Sequence, residues 1–176
     1  NPTRDGVINI LRLMGAYIEI LNRRDVGGEP VADLRVRSAP LHGIDIPEDQ
    51  VPLAIDEFPA LFIAAACAEG VTRLTGAEEL RVKESDRIQV MADGLAILGA
   101  DVTPTPDGIV IQGGPLAGGR VNSHGDHRIA MSFAMAALRA QGEIVIDDCS
   151  NVNTSFPGFI GLARDAGLTI SASEEN

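Results

Sequence analysis

The chain has 176 residues, a formal net charge of −11 and a sequence pI of about 4.6. It offers no cluster of Lys and Arg that could form a nucleic-acid-binding face. No apolar run approaches the ~18 residues that a membrane span needs. Hydrophobic residues make up 45% of the chain but aromatic residues only 3%. The length fits a single domain, with a core built from Ala, Val, Ile and Leu.

The two cysteines, Cys67 and Cys149, lie far apart without the spacing of a metal or redox motif. Cys67 lies in an Ala-rich run, which favours a buried free thiol. The N-terminus shows neither an initiator Met nor the form of a signal peptide. We therefore expect a cytoplasmic protein without disulfides, and we interpret the N-terminus as a position within a longer chain.

A helix that ends at Gly and passes directly into a strand recurs along the chain, and glycine suits the left-handed position that closes a helix. In chain order the predicted helices are 8–14, 56–69, 88–98, 126–141 and 159–166. The strands that follow them are 16–20, 71–74, 100–102, 143–146 and 168–170. The turn Thr105-Pro106-Asp107 joins two further stretches, 101–104 and 108–112, in a predicted hairpin.

The order after Gly43 is strand, helix, strand, helix, strand, strand, and it begins again near Gly119. This order predicts an α/β (α+β) fold of repeated βαβαββ units, with parallel strands wherever a helix crosses over. Helices 56–69 and 126–141 are apolar nearly all round, so we expect both to be buried. The units are incomplete, and we expect one closing strand to come from a segment outside this chain.

Charged clusters precede three of the predicted helices. Asp56, followed closely by Pro59, has the spacing of a helix cap, and capping is the interpretation that this spacing favours. The segment 81–87 carries five charges, and Ser85 or Asp86 could cap the helix that follows. A solvated charge run is the simpler interpretation of such a segment. However, Lys83 and Arg87 lie at the positive end of the helix dipole, an arrangement that an anion would stabilise.

The third cluster, His124-Gly125-Asp126-His127-Arg128, again places an Arg in the first turn of a helix. Its two His and one Asp could in principle bind a metal, but no further Cys or His cluster completes a site. We therefore predict no metal. Two helix starts, each with an Arg, converge if the repeated units pack symmetrically, and Arg binds phosphate and carboxylate groups bidentately.

Two of these strings carry a family resemblance. Arg81-Val82-Lys83-Glu84-Ser85-Asp86-Arg87 and Asp126-His127-Arg128-Ile129-Ala130-Met131-Ser132-Phe133 resemble the signature motifs of the 5-enolpyruvylshikimate-3-phosphate synthase family. The resemblance covers nearly the whole chain, from Asn1-Pro2-Thr3-Arg4 through Ser155-Phe156-Pro157 to the end. The segments most similar to the class II bacterial branch are Asn1-Pro2-Thr3-Arg4, Leu34-Arg35-Val36-Arg37-Ser38 and Thr154-Ser155-Phe156-Pro157. It implies an enzyme of two globular domains, each made of three βαβαββ units around buried parallel helices.

The resemblance implies that residues 1–176 form the C-terminal domain, and that the missing strand and the opposing N-terminal domain lie elsewhere. The implied reaction transfers the enolpyruvyl group from phosphoenolpyruvate to shikimate 3-phosphate and releases phosphate, in the shikimate pathway of aromatic amino acid biosynthesis. No cofactor is implied, since the chain has neither a dinucleotide-binding fingerprint nor a P-loop. The expected partners are these two substrates and the missing domain, without nucleic acid or membrane.

The resemblance also assigns roles to residues. Asp56 matches the carboxylate that contacts the shikimate ring hydroxyls and accepts a proton. Lys83 and Glu84 match the pair near the reacting carbons, with Glu84 as the proton shuttle. Arg87 and Arg128 match the cations that bind phosphoenolpyruvate. Thr154 occupies a position where the class I branch has a Lys, so no substrate-binding role is assigned to it.

Two other functions fit the sequence. One is the related transfer of an enolpyruvyl group to a UDP-amino sugar on the same fold, although the strings 83–87 and 126–133 favour the shikimate enzyme. The other is an anion-binding module without catalysis of its own, since half of the expected cleft lies outside this chain. In either case we expect the isolated chain to be inactive.

Overall fold

The computed structural model describes residues 4–173 and has a mixed α/β architecture, as predicted. Its helices are α1 (Gly6–Leu13), α2 (Val51–Ala54), α3 (Phe58–Ala66), α4 (Arg87–Ile97), α5 (His127–Ala136), α6 (Asn151–Ser155) and α7 (Phe159–Asp165). Its strands are β1 (Tyr17–Val26), β2 (Glu29–Arg37), β3 (Val71–Leu74), β4 (Asp101–Thr105), β5 (Gly108–Gln112), β6 (Ala117–Asn122) and β7 (Gln141–Asp147). Short 3₁₀ turns span Glu48–Gln50, Ile55–Glu57 and Glu78–Val82.

The strands form three small sheets. Strands β3, β5 and β4 make an antiparallel sheet in which β5 is central, and β4 and β5 are the predicted hairpin. Strands β6 and β7 are parallel and are connected through α5, which confirms parallel pairing where a helix crosses over. The predicted strand after Gly43 is reduced to isolated parallel bridges, His42 with Glu69 and Asp45 with Arg73.

The core lies around α3, α4 and α5, and the expected burial of the two apolar helices is confirmed. Phe58 and Phe62 of α3 and Phe133 of α5 are each at most 1% exposed. Helix α4 approaches α5 very closely at Gly94, where an added Cβ would lie 2.2 Å from Cζ of Phe133. The helices are shorter than predicted, because a 3₁₀ turn precedes α3 and turns follow both helices.

Two strand predictions were wrong in different ways. Residues 168–170 form no strand; instead, Arg164 Nε donates to the carbonyl oxygen of Ile170 at 2.8 Å. Strand β2 was missed, and β1 is longer than expected. The two strands form a mostly exposed hairpin, in which Ile18 and Ile20 of β1 lie opposite Val36 and Leu34 of β2. The pair Gly27-Gly28, with φ of 62° and 85°, makes the tight turn between them.

Both cysteines are free thiols; Cys149 is exposed, and Cys67 is half-buried rather than fully buried. Burial raises the pKa of the Cys67 thiol, with a smaller opposing effect from the charge of Arg139. Within residues 4–173, every helix is too short or too polar to cross a membrane. Asn1, Pro2 and Thr3, which belong to the family resemblance, lie outside the described residues.

Candidate active site

The N-terminal ends of α3, α4 and α5 meet because these three helices pack on one another. The 3₁₀ turn Ile55–Glu57 brings Asp56 to this meeting point, the loop before α4 brings Lys83 and Glu84, and α5 brings Arg128 in its first turn. Residues separated by up to 72 positions in sequence are therefore neighbours here. The structure brings all five predicted site residues together at one end of the core.

Asp56 is at the centre of this cluster, and its side chain is one-quarter exposed. Its carboxylate oxygens lie 3.4 Å from Arg87 Nη1, 3.8 Å from Arg128 Nη2, 3.9 Å from Arg4 Nη1 and 4.0 Å from Lys83 Nζ. The capping interpretation of Asp56 was wrong, because the turn and α3 begin without a side-chain cap. The carboxylate faces cations contributed by distant parts of the chain instead.

Arg87 is the first residue of α4, and its side chain is fully buried. Its three guanidinium nitrogens each contact a carboxylate: Nε donates to Asp126 Oδ2 at 2.9 Å, Nη1 to Asp56 at 3.4 Å, and Nη2 to Glu84. A cation at the positive end of a helix dipole is unfavourable, and this surrounding negative charge offsets the cost. Arg87 therefore lies beneath the site's surface, covered by Asp56 and Glu84.

The other predicted residues are more accessible. Arg128 is about one-third exposed, and its Nη1 donates to the main-chain oxygen of Asp56 at 3.0 Å. Lys83 contacts Glu79, four residues earlier, as well as Asp56. Glu84 is half-exposed and contacts only the guanidinium of Arg87 among the ion pairs of the described chain. An anion approaching from solvent thus meets Arg128 and Lys83 before it can reach Arg87.

Of the two capping candidates for α4, the structure selects Asp86, whose side chain accepts from Gln89 N at 3.0 Å. Asp86 also pairs with Arg81, whose Nη1 lies 2.6 Å from its Oδ2. Ser85 does not cap α4; its hydroxyl donates to Asp126 at 3.1 Å. The charged segment 81–87 is therefore an ordered network rather than a solvated run of charges.

Asp126 is a buried acid to which the sequence assigned no catalytic or substrate-binding role. It is fully buried and accepts hydrogen bonds from Arg87 Nε, Ser85 Oγ and the main-chain nitrogens of Arg128 and Ile129. Burial alone would raise the pKa of Asp126, but the hydrogen bond and charge of Arg87, with the other donors, lower it overall. Its place before an apolar helix, with Arg two residues later, was the signal that could have identified it.

Within the described part of the chain, no group of three or more His, Cys, Asp and Glu side chains is arranged to hold a metal ion. Asp126, the acid of the motif that a metal would have used, is committed to Arg87 and to the start of α5. His124 is exposed and has a left-handed φ of 51°. Thr154 is exposed on α6 and carries no cation into this region.

The combination of anchored cations with half-exposed and buried carboxylates suits chemistry on anionic substrates. Preorganised cations stabilise negative charge without having to reorganise, while Asp56 and Glu84 offer two carboxylates in different surroundings for proton transfer.

Comparisons with known proteins identify the family of this chain. The family model for EPSP synthase (3-phosphoshikimate 1-carboxyvinyltransferase) matches residues 1–162. The 3-phosphoshikimate 1-carboxyvinyltransferase of Alkalilimnicola ehrlichii is 69% identical over 99% of this chain, and that of Nitrosococcus oceani is 72% identical over 97%. The chain spans only 39% and 38% of the lengths of these two relatives.

Solved structures give the same result. An EPSP synthase from Acinetobacter baumannii superposes with a TM-score of 0.97 and 63% identity over 99% of this chain and 41% of its own. The enolpyruvyl transferase NikO from Streptomyces tendae has a TM-score of 0.68 at 20% identity, covering 96% of this chain and 36% of its own, which shows a shared fold alone. The architecture is thus that of one domain of the enolpyruvyl transferases. Within that class, the chain belongs to the EPSP synthase family.

Proposed function

We propose that this chain supplies one wall of the active site of an enzyme that transfers the enolpyruvyl group from phosphoenolpyruvate to shikimate 3-phosphate. The observation that carries the proposal is the cluster around Asp56, in which Lys83, Arg87 and Arg128 converge from two separate motifs with Glu84 beside them. The names of the relatives, which are 3-phosphoshikimate 1-carboxyvinyltransferases, support the choice of reaction.

The cations would bind the anionic groups of the substrates. Arg128 and Lys83 are partly exposed and have donors available to a carboxylate or phosphate. Arg87 would join them once the half-exposed Glu84 moves away from Nη2, since Glu84 is the less constrained of the acids that cover it. Arginine suits this task because its planar fork binds carboxylate or phosphate through two parallel hydrogen bonds.

Two carboxylates would move the protons. In the addition step the 5-hydroxyl oxygen bonds to the central carbon of phosphoenolpyruvate, Asp56 takes the hydroxyl proton, and Glu84 gives a proton to the methylene carbon. In the elimination step the resulting methyl group loses a proton to Glu84, the double bond re-forms and phosphate leaves. Lys83, beside Asp56, stabilises the charge that develops near the reacting carbons.

The chain would act as the C-terminal domain, residues 1–176, of a two-domain cytoplasmic enzyme, with the N-terminal domain as its partner. The relatives are more than twice as long as this chain, which leaves room for a second domain of similar size. That domain would supply the opposing wall of the cleft and the missing strand. Closure of two domains around substrates excludes water and completes the catalytic groups.

The test is phosphate release with both substrates, first by the chain alone and then with the matching N-terminal part of the Alkalilimnicola ehrlichii relative supplied in trans. We expect no turnover by the chain alone, because positioning can be worth ~7–11 kcal/mol of the barrier. Restored turnover with the complement supports the proposal. Clear turnover by the chain alone contradicts the two-domain site, and no turnover by a folded complex contradicts the proposed reaction.

Glu84→Gln tests the proton shuttle in the restored complex. It should remove most of the turnover, by a factor of about 10²–10⁴, while leaving substrate binding nearly intact. Glu78→Gln is the matched control, because Glu78 is an exposed carboxylate in the neighbouring turn Glu78–Val82. Full activity in Glu84→Gln would remove Glu84 from the mechanism.

The same assay separates the alternatives. Turnover with a UDP-amino sugar in place of shikimate 3-phosphate would favour the related transferase. Binding of phosphoenolpyruvate without turnover of either acceptor would leave the chain as an anion-binding half.

A further inference from the structure

We infer that Asp126 is a positioning residue that sets the relative placement of the two arginines of the phosphoenolpyruvate site. The inference rests on the proposed function and adds a residue to it. One carboxylate, fully buried, contacts both arginines: Oδ2 accepts from the side chain of Arg87, and Oδ1 accepts from the main-chain nitrogen of Arg128. The two arginines are thereby tied to each other through a single rigid group.

Asp126 is itself held in place from behind by an unusual loop. His124 and Gly125, which precede it, have φ angles of 51° and 71°, and Asp148 on the facing loop has 54°. The buried Ser123 hydroxyl donates to the Asp148 main-chain oxygen at 2.7 Å, and Gly125 N donates to the same oxygen at 3.2 Å. A left-handed conformation at a non-glycine residue is unfavourable, so such contacts are needed to maintain it.

The loop also ties Asp126 to the end of the parallel sheet. The main-chain nitrogen of Asp126 donates to the carbonyl oxygen of Ser123 at 3.0 Å. Asn151 Nδ2 donates to the carbonyl oxygen of Gly125 at 2.6 Å. The carboxylate therefore has little freedom to follow a moving partner. Arg87 must adopt the orientation that Asp126 allows.

Helix capping alone does not account for burial of this acid. A charged group taken out of water needs a partner, and the capping contacts to Arg128 N and Ile129 N could be made equally well by a neutral Asn or Ser. The additional contact is the bond to Arg87 Nε, the guanidinium nitrogen on the side away from Asp56 and Glu84. Because Asp126 binds Nε, the other two guanidinium nitrogens, Nη1 and Nη2, are directed at the site.

This placement predicts how the cluster changes when an anion arrives. Glu84 and Asp56 can release Nη2 and Nη1 to the anion, whereas Asp126 keeps its bond to Nε throughout. Loss of the Asp126 charge should therefore weaken binding of phosphoenolpyruvate much more than it slows the chemical steps.

The experiment uses a chimera in which this chain replaces the matching segment of the Alkalilimnicola ehrlichii relative. Asp126→Asn keeps a good helix cap and nearly the same shape but removes the charge. We expect the KM and Kd for phosphoenolpyruvate to rise about ten- to a hundredfold, as loss of a charge-assisted hydrogen bond implies, with kcat reduced less than threefold. Glu84→Gln should have the opposite effect on the two kinetic constants: kcat should fall, and the KM for phosphoenolpyruvate should stay nearly unchanged.

Asp86→Asn is the matched control, since Asp86 caps α4 as Asp126 caps α5 but bonds to Arg81 instead of Arg87. It should leave the Kd for phosphoenolpyruvate unchanged. A second readout is additivity: with Arg87 already changed to Ala, adding Asp126→Asn should have little further effect on Kd. An unchanged Kd in Asp126→Asn, or full additivity with Arg87→Ala, overturns the inference.

If Asp126→Asn fails to fold, Ser85→Ala replaces it. Ser85 donates to the same carboxylate oxygen that holds Arg87, so its loss should raise the Kd about two- to fivefold. An unchanged Kd in this variant contradicts the inference. Failure of the unmodified chimera to release phosphate would contradict the proposed reaction, and the Kd for phosphoenolpyruvate, measured by calorimetry without turnover, still decides the role of Asp126.

Discussion

The starts of α4 and α5 are built on the same local plan but are used differently. Each helix is capped by an aspartate: Asp86 accepts from the main-chain nitrogen of Gln89, and Asp126 accepts from those of Arg128 and Ile129. Each aspartate also pairs with an arginine. Asp86 is about one-third exposed and pairs with the partly exposed Arg81, whereas Asp126 and Arg87 are both fully buried.

The difference shows that a shared cap motif does not indicate how much each carboxylate contributes to the stability of the fold. Arg81 links the start of α4 to the neighbouring hairpin by donating to the carbonyl oxygens of Thr105 and Pro106. Because this region is partly exposed, water can take the place of some of these hydrogen bonds. The buried pair lies where solvent cannot replace either partner, and it joins the two arginine-bearing motifs. Removing one partner of such a pair leaves an uncompensated charge.

The largest effect on stability is expected from Arg87→Met, which leaves Asp126 buried without its cation. The free energy of unfolding should fall by about 3–5 kcal/mol, the usual consequence of breaking a buried pair. Arg81→Met should cost about 1–2 kcal/mol, because its partners can bind water instead. Chemical denaturation of both variants measures the difference, and equal losses would remove the distinction between the two pairs.

Gly94→Ala should disturb the close packing of α4 against α5. The added Cβ would lie 2.2 Å from Cζ and 2.7 Å from Cε2 of Phe133, so the helices must separate. Overpacking of this kind costs about 1–3 kcal/mol. Gly161→Ala on α7 is the control, since its Cβ would meet nothing within 4 Å, and it should stabilise by about 0.5–1 kcal/mol. Thermal denaturation distinguishes these opposite signs.

Acid should weaken the buried pair through Asp126. Its pKa in the folded protein is lowered below the ordinary value near 3.9, so the unfolded chain binds its proton first as the pH falls. The stability due to this shift is complete above about pH 4 and is lost as the pH falls through the folded pKa. The difference in unfolding free energy between the unmodified protein and Asp126→Asn should therefore shrink below pH 4. A difference that stays constant from pH 6 to pH 3 would contradict this linkage.

The fold was predictable wherever the pattern was local. Apolarity on all sides identified the buried helices α3 and α5, and the glycines after α1, α3 and α4 located β1, β3 and β4. The same signal was wrong after α7, since residues 168–170 form no strand. The β1–β2 hairpin was predicted only at residues 16–20, although Leu34-Arg35-Val36-Arg37 of β2 also alternates apolar and basic side chains. Only the pair Gly27-Gly28 indicated its turn.

That the candidate residues lie close together was predictable from the sequence, but the geometry of their contacts was not. The two motifs identified Lys83, Glu84, Arg87 and Arg128, and the structure brings them to Asp56. Nothing local shows that Asp56 faces cations rather than capping α3, since Lys83, Arg87 and Arg128 lie 27 to 72 residues further along the chain and Arg4 lies far before it. The burial of Arg87 likewise depends on Asp126, 39 residues away.

The smallest effect is expected from Asp86→Asn, which probes the exposed pair directly. Asparagine caps a helix nearly as well as aspartate, so the bond from Gln89 N should persist with little loss. The remaining change is the loss of a partly screened ion pair with Arg81, and such pairs contribute about 0–1 kcal/mol. The free energy of unfolding at pH 7 should therefore fall by less than ~1 kcal/mol, and added salt should reduce even that difference. Chemical denaturation at low and high salt tests both expectations. A loss as large as that of Arg87→Met would mean that the α4 cap is as tightly coupled to the core as the α5 cap.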